Sequence, residues 1–428
     1  MKRLLSVLCI CLTFAIVISS GVCGMAASAA ERVPENAYPF VFVHGYNGWG
    51  GAEGINAAAP YWGGTTGDLM QYLTKQGYEC YSASVGPFSS AWDRACELYA
   101  QLTGQTVDYG EAHSKTHHHR RFGRTYSEPL FAGWGSKDAN GNIRKAHFLG
   151  HSFGGTTIRM LAFLMTYGCP EEVKASKNGK VCALFTGGKE NWIESITTIA
   201  TPQNSATTYR LTKEIFLFET SQVFNALLAA CAGRTALHGR VYDFHLEQFG
   251  LSNTPGSRDA DAYLSAVYNY LQNSDDSCAY DLSPAGTKAL NDRIITSPNI
   301  YYFSYAFDAT HKDSLFGMTW PNLTSNLILA PIGCWIGHHY PYTEKTTGQV
   351  YDDAWRASDL LCNTISETYP FDAKHVEYDG TSAPQKGVWN VFPTQKGDHG
   401  QAVGLFESSE KLHGFYAGHA AFLCSIEP

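Results

Sequence analysis

Ala146-His147-Phe148-Leu149-Gly150-His151-Ser152-Phe153-Gly154 runs from an apolar stretch straight into a helical one, Thr156 to Met165. A serine hydroxyl is a weak nucleophile at neutral pH. It gains reactivity from exposure, a neighbouring base and donors aimed at the oxyanion that forms. A Gly-x-Ser-x-Gly turn between strand and helix supplies the exposure, because glycines flanking the serine let the backbone turn sharply. The same letters could spell a small-residue turn without chemistry. The strand before and the helix after favour a nucleophile at Ser152.

Outward from that turn, Pro39-Phe40-Val41-Phe42-Val43 reads as a buried strand ending at His44-Gly45. Further strands are expected over Ile193 to Ala200, Ile300 to Ala306 and Val388 to Phe392. A last helix is expected over about Ala402 to Ser425, with Gly404 and Gly414 as weak points. Strands alternating with helices predict an α/β chain whose parallel sheet is covered on both faces. Two stretches interrupt the rhythm: about 88–134, rich in His, Arg, Tyr and Gly, and about 203–283. These read as insertions into a single domain over 31–428.

The chain has 428 residues, 44% of them apolar, enough for a large core. Its formal net charge is −8 and no basic run is long enough to track a phosphate backbone, which argues against nucleic acid. Lys2-Arg3, the apolar run from Leu4 to about Ser19 and Ala26-Ala27-Ser28-Ala29-Ala30 read as a signal peptide over 1–30, cut near Ala29 or Ala30. The expected mature protein is secreted, without a stable membrane anchor or an obligate protein partner. A retained N-terminal anchor is the alternative; Val22 before Cys23 fits a lipoprotein site poorly. Beyond the leader stand Cys80, Cys96, Cys169, Cys182, Cys231, Cys278, Cys334, Cys362 and Cys424, an odd set that leaves at least one thiol unpaired or paired between chains. Cys169 and Cys182 flank a polar segment and could close a surface loop.

In this kind of sheet a relay runs Ser, then Asp or Glu, then His along the chain. His399 follows the Val388–Phe392 strand and precedes the final helix, whereas His413 and His419 lie within that helix. Asp359, before Leu360-Leu361-Cys362, is the best-placed acid; Asp352, Asp353, Asp372 and Asp379 compete. Its task would be to fix the imidazole tautomer and stabilise the imidazolium. Oxyanion donors would be the backbone N–H groups of Phe153 and Tyr46, the latter in His44-Gly45-Tyr46-Asn47-Gly48.

With these pieces in place the chain resembles the secreted true lipases of thermophilic bacilli and staphylococci. The resemblance rests on His44-Gly45-Tyr46-Asn47-Gly48-Trp49-Gly50, Tyr61-Trp62-Gly63-Gly64, Trp92-Asp93-Arg94-Ala95-Cys96-Glu97, Phe122-Gly123-Arg124-Thr125-Tyr126, Thr197-Thr198-Ile199-Ala200-Thr201-Pro202 and Gly387-Val388-Trp389-Asn390. It implies an α/β-hydrolase fold with inserted zinc-binding and lid segments, triacylglycerol lipase activity, and a triad of Ser152, Asp359 and His399. One departure is Ser358-Asp359-Leu360, where the family usually reads Asn-Asp-Gly.

Two imidazoles and two carboxylates can make a closed, four-coordinate zinc site. His113 and His119 would lie on different faces of a continuous helix, so they converge only from an irregular loop. Spacing alone leaves His117-His118-His119-Arg120-Arg121 readable as a solvated run. The resemblance implies structural zinc held by Asp93, His113, His119 and Asp276. Related lipases also bind calcium near the catalytic histidine. Here the matched carboxylate position is Gln401, an Asp-Pro pair is replaced by Phe406-Glu407, and Thr324 offers only a carbonyl, so calcium is not expected.

Phe216, Leu217, Val223, Phe224, Leu227, Leu228 and Cys231 form one helical stripe, broken by Thr220. Periodicity alone fits an ordinary core helix; the resemblance favours a lid that opens on lipid. The reading is therefore a secreted serine hydrolase acting on a lipid or ester substrate at an oil–water interface. A soluble carboxylesterase or phospholipase on the same triad, a zinc-dependent hydrolase, and an inactive lipid-binding surface protein stay open.

Overall fold

A computed structural model describes residues 37–176, 180–210, 242–251, 260–315, 317–339 and 341–426. The leader over 1–30 and the lid stripe from Phe216 to Cys231 lie outside the described residues.

Among the described residues seven strands make one central sheet: β1 Phe40–Val43, β2 Cys80–Ala83, β3 Ala146–His151, β4 Ile193–Ile199, β5 Tyr301–Tyr305, β6 His375–Glu377 and β7 Trp389–Val391. Their spatial order is β6-β7-β5-β4-β3-β1-β2, and every neighbouring pair is parallel. Parallel strands covered on both faces are buried along their whole length rather than on alternate residues, and β1, β3 and β4 are buried at every position. The chain leaves β1 for one edge and leaves β3 toward the other. The topological switch therefore lies between them, where the carboxyl ends of strands open a crevice.

Five helices matter here: α1 Ala91–Thr103, α2 Glu111–Thr116, α3 Phe153–Tyr167, α4 Ala260–Asn273 and α5 Ser409–Ser425. The 88–134 stretch divides in two. Its first part is α1, a buried helix packed on α3 and carrying the chain from β2 toward β3, and its irregular part begins with a ribbon of Thr106–Asp108 and Phe122–Thr125. The final helix starts later than the sequence pattern implies. Gly404 adopts φ 90°, a short 3-10 turn covers Gln401–Val403, and the Ser408 hydroxyl accepts the Lys411 N–H to cap α5. Gly414 sits inside α5 without interrupting it.

α5 packs on the sheet through a histidine. Buried His419 places Nε2 2.8 Å from the Thr197 hydroxyl and Nδ1 3.0 Å from that of Tyr305. Burial, then the nearby His147, lowers its pKa to about 3; burial and then Arg94 lower that of His44 to about 3 as well. Both folded values lie below the value near 6.5 of the unfolded chain, so unfolding in acid takes up protons. This stability is complete above pH ~6.5 and is lost toward pH ~3, at about 1.4 kcal/mol per pH unit per group. His419→Gln, which keeps an amide facing Thr197 and Tyr305, is expected to flatten the pH dependence of the urea-unfolding free energy by one such increment. Equal slopes would refute the neutral, buried assignment.

Candidate active site

The turn at Ser152 is built by close packing. Ser152 stands between β3 and α3 at φ 55°, ψ −131°, a conformation costly for a residue with a Cβ. Its N–H donates to Ile199 O at 2.9 Å and its carbonyl accepts Gly155 N–H at 3.0 Å, so the strained backbone is pinned on both sides. The neighbouring glycines are required by space. A Cβ at Gly150 would stand 2.5 Å from the Gly154 carbonyl carbon, and one at Gly154 would stand 2.1 Å from Val43 O. Gly154→Ala is expected to cost about 1–3 kcal/mol or more, because β1 backbone must move. An unchanged urea midpoint would contradict this account.

Across the sheet, Asp359 and His399 meet. Asp359 lies in the long excursion between β5 and β6, and is fully buried. Its Oδ1 accepts Leu361 N–H at 2.9 Å and Cys362 N–H at 2.6 Å. Its Oδ2 faces His399 Nδ1 at 2.5 Å, and His399 N–H donates to Asp359 O at 2.9 Å. An acid holding Nδ1–H leaves Nε2 as the basic nitrogen. The competing acids are employed elsewhere. Asp352 caps the turn Asp353–Trp355, Asp353 pairs with Arg356 and Asp379 closes its own turn on Thr381, while Asp372 is exposed.

His399 is tied to the Ser152 turn through a network that sequence reasoning missed. His151 Nε2 donates to His399 O at 3.1 Å, and its Nδ1 accepts the Tyr61 hydroxyl at 2.7 Å. The Tyr61 oxygen in turn accepts Gly45 N–H at 2.9 Å. Every proton is used once if His151 is neutral, and burial, then the charge on His399, drives its pKa far down. Gly45 and Ser152 nearly touch: a Cβ on Gly45 would lie 2.7 Å from Ser152 Cβ. Tyr46 follows in this loop, its ring edge-on to Phe88 at 5.5 Å. Phe153, the first residue of α3, has its N–H at a helix start, where backbone donors lack intrahelical partners.

Arg94, on α1, braces both oxyanion candidates from beneath. Its Nη2 donates to His44 O, Nη1 to Gly86 O at 2.7 Å and Nε to Thr157 Oγ1 at 2.7 Å, while its guanidinium lies over the Phe153 ring. Three acceptors from separate parts of the chain define this role, and a single Arg in a sequence carries no sign of them.

Asp93, His113, His119 and Asp276 come together. Their donor atoms all lie within 4.8 Å of one another. His113 Nε2 is 3.2 Å from Asp93 Oδ1 and 3.3 Å from Asp276 Oδ2, and His119 Nε2 is 3.2 Å from the same Asp276 oxygen. Asp93 comes from α1 and His113 from α2; the chain then turns back at His118, φ 58°, to deliver His119. The His119 Nε2 and Asp276 Oδ2 atoms are buried without a hydrogen bond among the described residues, the condition a cation would relieve. Groups behind them fix their aim: His119 Nδ1 donates to Arg120 O at 2.8 Å, and Gln248 Nε2 donates to Asp93 Oδ2 at 2.9 Å. Two facing acids and two imidazoles suit a divalent metal.

At the positions matched to calcium, Gln401 Oε1 accepts Asp398 N–H at 2.9 Å, its Nε2 lies 3.5 Å from Thr324 O, and Glu407 pairs with Lys411. Cys169 and Cys182 carry free thiols rather than a bridge. The Cys169 thiol lies 3.2 Å from a Glu171 oxygen, and the polar segment between the two cysteines is anchored by Pro170–Ala175 instead. No helix among the described residues is long and apolar enough to cross a membrane.

Residues 36–427 match the family described as "Lipase-like, C-terminal domain". A lipase of Staphylococcus hyicus is 35% identical over 412 residues, covering 92% of this chain and 58% of the relative. Among solved structures, EstA from Clostridium botulinum superposes with a TM-score of 0.79 at 35% identity, covering 92% of this chain and 89% of that one. Lipase 1 from Pelosinus fermentans does so with 0.76 at 37% identity, covering 92% and 100%. The chain spans little more than half the length of the curated relatives it matches. With the sheet order, the serine turn and these matches agreeing over nearly all of its length, the chain belongs to the lipase-like C-terminal domain family.

Proposed function

We propose that Ser152, His399 and Asp359 form the triad of a secreted carboxylic ester hydrolase whose substrates are triacylglycerols. One observation carries the reading. A strained serine at the carboxyl end of β3 shares one end of the sheet with an Asp359–His399 pair 2.5 Å apart, and the loop bearing Tyr46 packs against that serine.

The chemistry follows from the atoms. Ser152 Oγ attacks the ester carbonyl carbon while His399 Nε2 takes its proton. The Tyr46 and Phe153 N–H groups hold the resulting oxyanion, and losing one such donor typically costs about 10²–10³ in turnover. His399 then protonates the departing alcohol, leaving an acyl ester on Ser152. Water enters, gives its proton to the same nitrogen and releases the acid. Asp359 orients the imidazole throughout and stabilises its charged form.

Asp93, His113, His119 and Asp276 would hold zinc, which supplies a structural cross-link when bound by four protein ligands. It would join α1 and the ribbon loop to the segment that follows α4. Secretion rests on the leader pattern over 1–30. The triglyceride preference rests on the lipases of the family.

One assay series separates the readings. An alkyl phosphonate should label Ser152 stoichiometrically and abolish hydrolysis, and the rate on tributyrin should climb once the substrate exceeds its solubility. A flat response across that boundary would favour an esterase, and a phospholipid-only rate a phospholipase. Failure of the phosphonate to inhibit would overturn the serine mechanism.

A further inference from the structure

Beside Asp359 lies a second buried acid that the mechanism leaves unused. Glu367 closes the 3-10 turn Thr364–Glu367 and is fully buried. Its Oε2 accepts Phe307 N–H at 2.7 Å. Its Oε1 is buried and receives no N–H or O–H bond among the described residues. Glu367, Asp359, Cys362 and His399 bring their polar side-chain atoms within 4.8 Å of one another. The charged and titratable groups around Glu367 are Asp359 and Asp308, with the Cys362 thiol alongside. Lys396 is occupied with Asp308, and His399 with Asp359.

Two carboxylates this close in a dry setting strongly disfavour both being ionised. Hydrogen bonds decide which one keeps the proton. Asp359 accepts two backbone N–H groups and the imidazole N–H, all of which favour its charged form. Glu367 accepts a single backbone N–H. A protonated Glu367 also gives its otherwise orphaned oxygen a partner.

Resting on the triad reading above, we propose that Glu367 is held as a neutral carboxylic acid donating its proton to the Asp359 carboxylate, and so acts as a positioning residue for the triad. Burial first, and then the Asp359 charge, push its pKa well above the usual carboxylate range. The donated hydrogen bond has two effects. It fixes the carboxylate that orients His399, and it draws charge from Asp359. The imidazolium is therefore less stabilised than it would be beside an Asp359 lacking this donor.

The amide of Glu367→Gln reproduces a neutral acid, with an oxygen for Phe307 N–H and an N–H for Asp359, but not an ionised one. The proton is tested first by stability. A folded acid that stays protonated while the unfolded chain ionises near pH ~4.3 makes the wild type lose stability as pH rises above that value. E367Q lacks that loss. Its Tm relative to wild type should therefore increase steadily from pH 5 to 8. A constant difference, or a deficit that grows with pH, would overturn the neutral acid.

The positioning role is tested by the acid limb of kcat/KM, which reports the free enzyme's base. Glu367→Met should move that limb up by about half a unit to one unit, with E367Q moving it back toward the wild-type position. Coincident limbs for E367M and wild type would overturn the role. Should E367M not fold, the E367Q stability series alone decides the proton. Hydrolysis surviving in Ser152→Ala would instead remove the triad, and leave the stability series to judge Glu367 on its own.

Discussion

Ser152→Ala is expected to lower kcat on a soluble p-nitrophenyl ester by about 10⁴–10⁶ while leaving KM within a few-fold. The size of the loss follows from how the site is assembled. The methyl group fits wherever the hydroxymethyl does, so the fold, the Asp359–His399 pair and the backbone donors persist. What disappears is the atom proposed to form the acyl bond. Residual turnover then comes from water activated by His399 and from the oxyanion donors, which in serine hydrolases leave about 10³–10⁴ over the uncatalysed rate. His399→Ala should fall to a similar level, and the double variant should fall scarcely further, because the two groups act as one unit. Asp359→Asn should cost about 10⁴, since an amide facing Nδ1 favours the tautomer with the proton on the wrong nitrogen. Turnover within tenfold of wild type in Ser152→Ala would end the covalent mechanism, and additive losses in the double variant would break the relay.

What the sequence makes legible is set by how local each signal is. β1 announces itself as an apolar run because both of its faces are buried, whereas β4, equally buried, carries Glu194, Ser195, Thr197 and Thr198 among its isoleucines. β6, only His375–Glu377 at the sheet edge and never fully buried, carries no such run and cannot be read as a strand. The start of α5 is displaced from the apolar pattern because Gly404 and Ser408 act through backbone geometry rather than through composition. At the site, the order Ser, Asp, His identifies three positions, whereas the choice of Asp359 over its neighbours depends on an excursion with φ 73° at Leu360 that no periodicity encodes. Arg94, Tyr61, His151 and Glu367 stay hidden for a related reason. Each works through partners far away in the chain, and burial is what turns a common residue into a demanding one.

The Asp93, His113, His119 and Asp276 cluster poses the sharpest case of that dependence, and disrupting it should have the largest effect on stability. Such a concentration of charge is untenable without a cation: Asp93 and Asp276 are both buried, and burial followed by the Asp276 charge raises the Asp93 pKa. Burial alone would lower the pKa of His113, yet the facing Asp276 and then Asp93 carboxylates raise it to about 10. A divalent ion held by the four side chains would balance both carboxylates. A tight metal present at a thousandfold over its Kd stabilises the folded state by about 4 kcal/mol. Asp276→Ala should lose that contribution and leave His113 and His119 without their shared carboxylate, a break that typically costs about 3–5 kcal/mol in a buried pair. The expected result is one zinc per wild-type chain by elemental analysis, none in Asp276→Ala, and a Tm lower by several degrees in the variant and in chelated wild type alike. Esterase activity below the new Tm should persist, because Ser152 and His399 lie outside the cluster. Wild-type protein purified without bound metal, or a Tm indifferent to chelation, would defeat the structural site. Prompt loss of activity on chelation, ahead of any unfolding, would shift the chemistry itself to the metal.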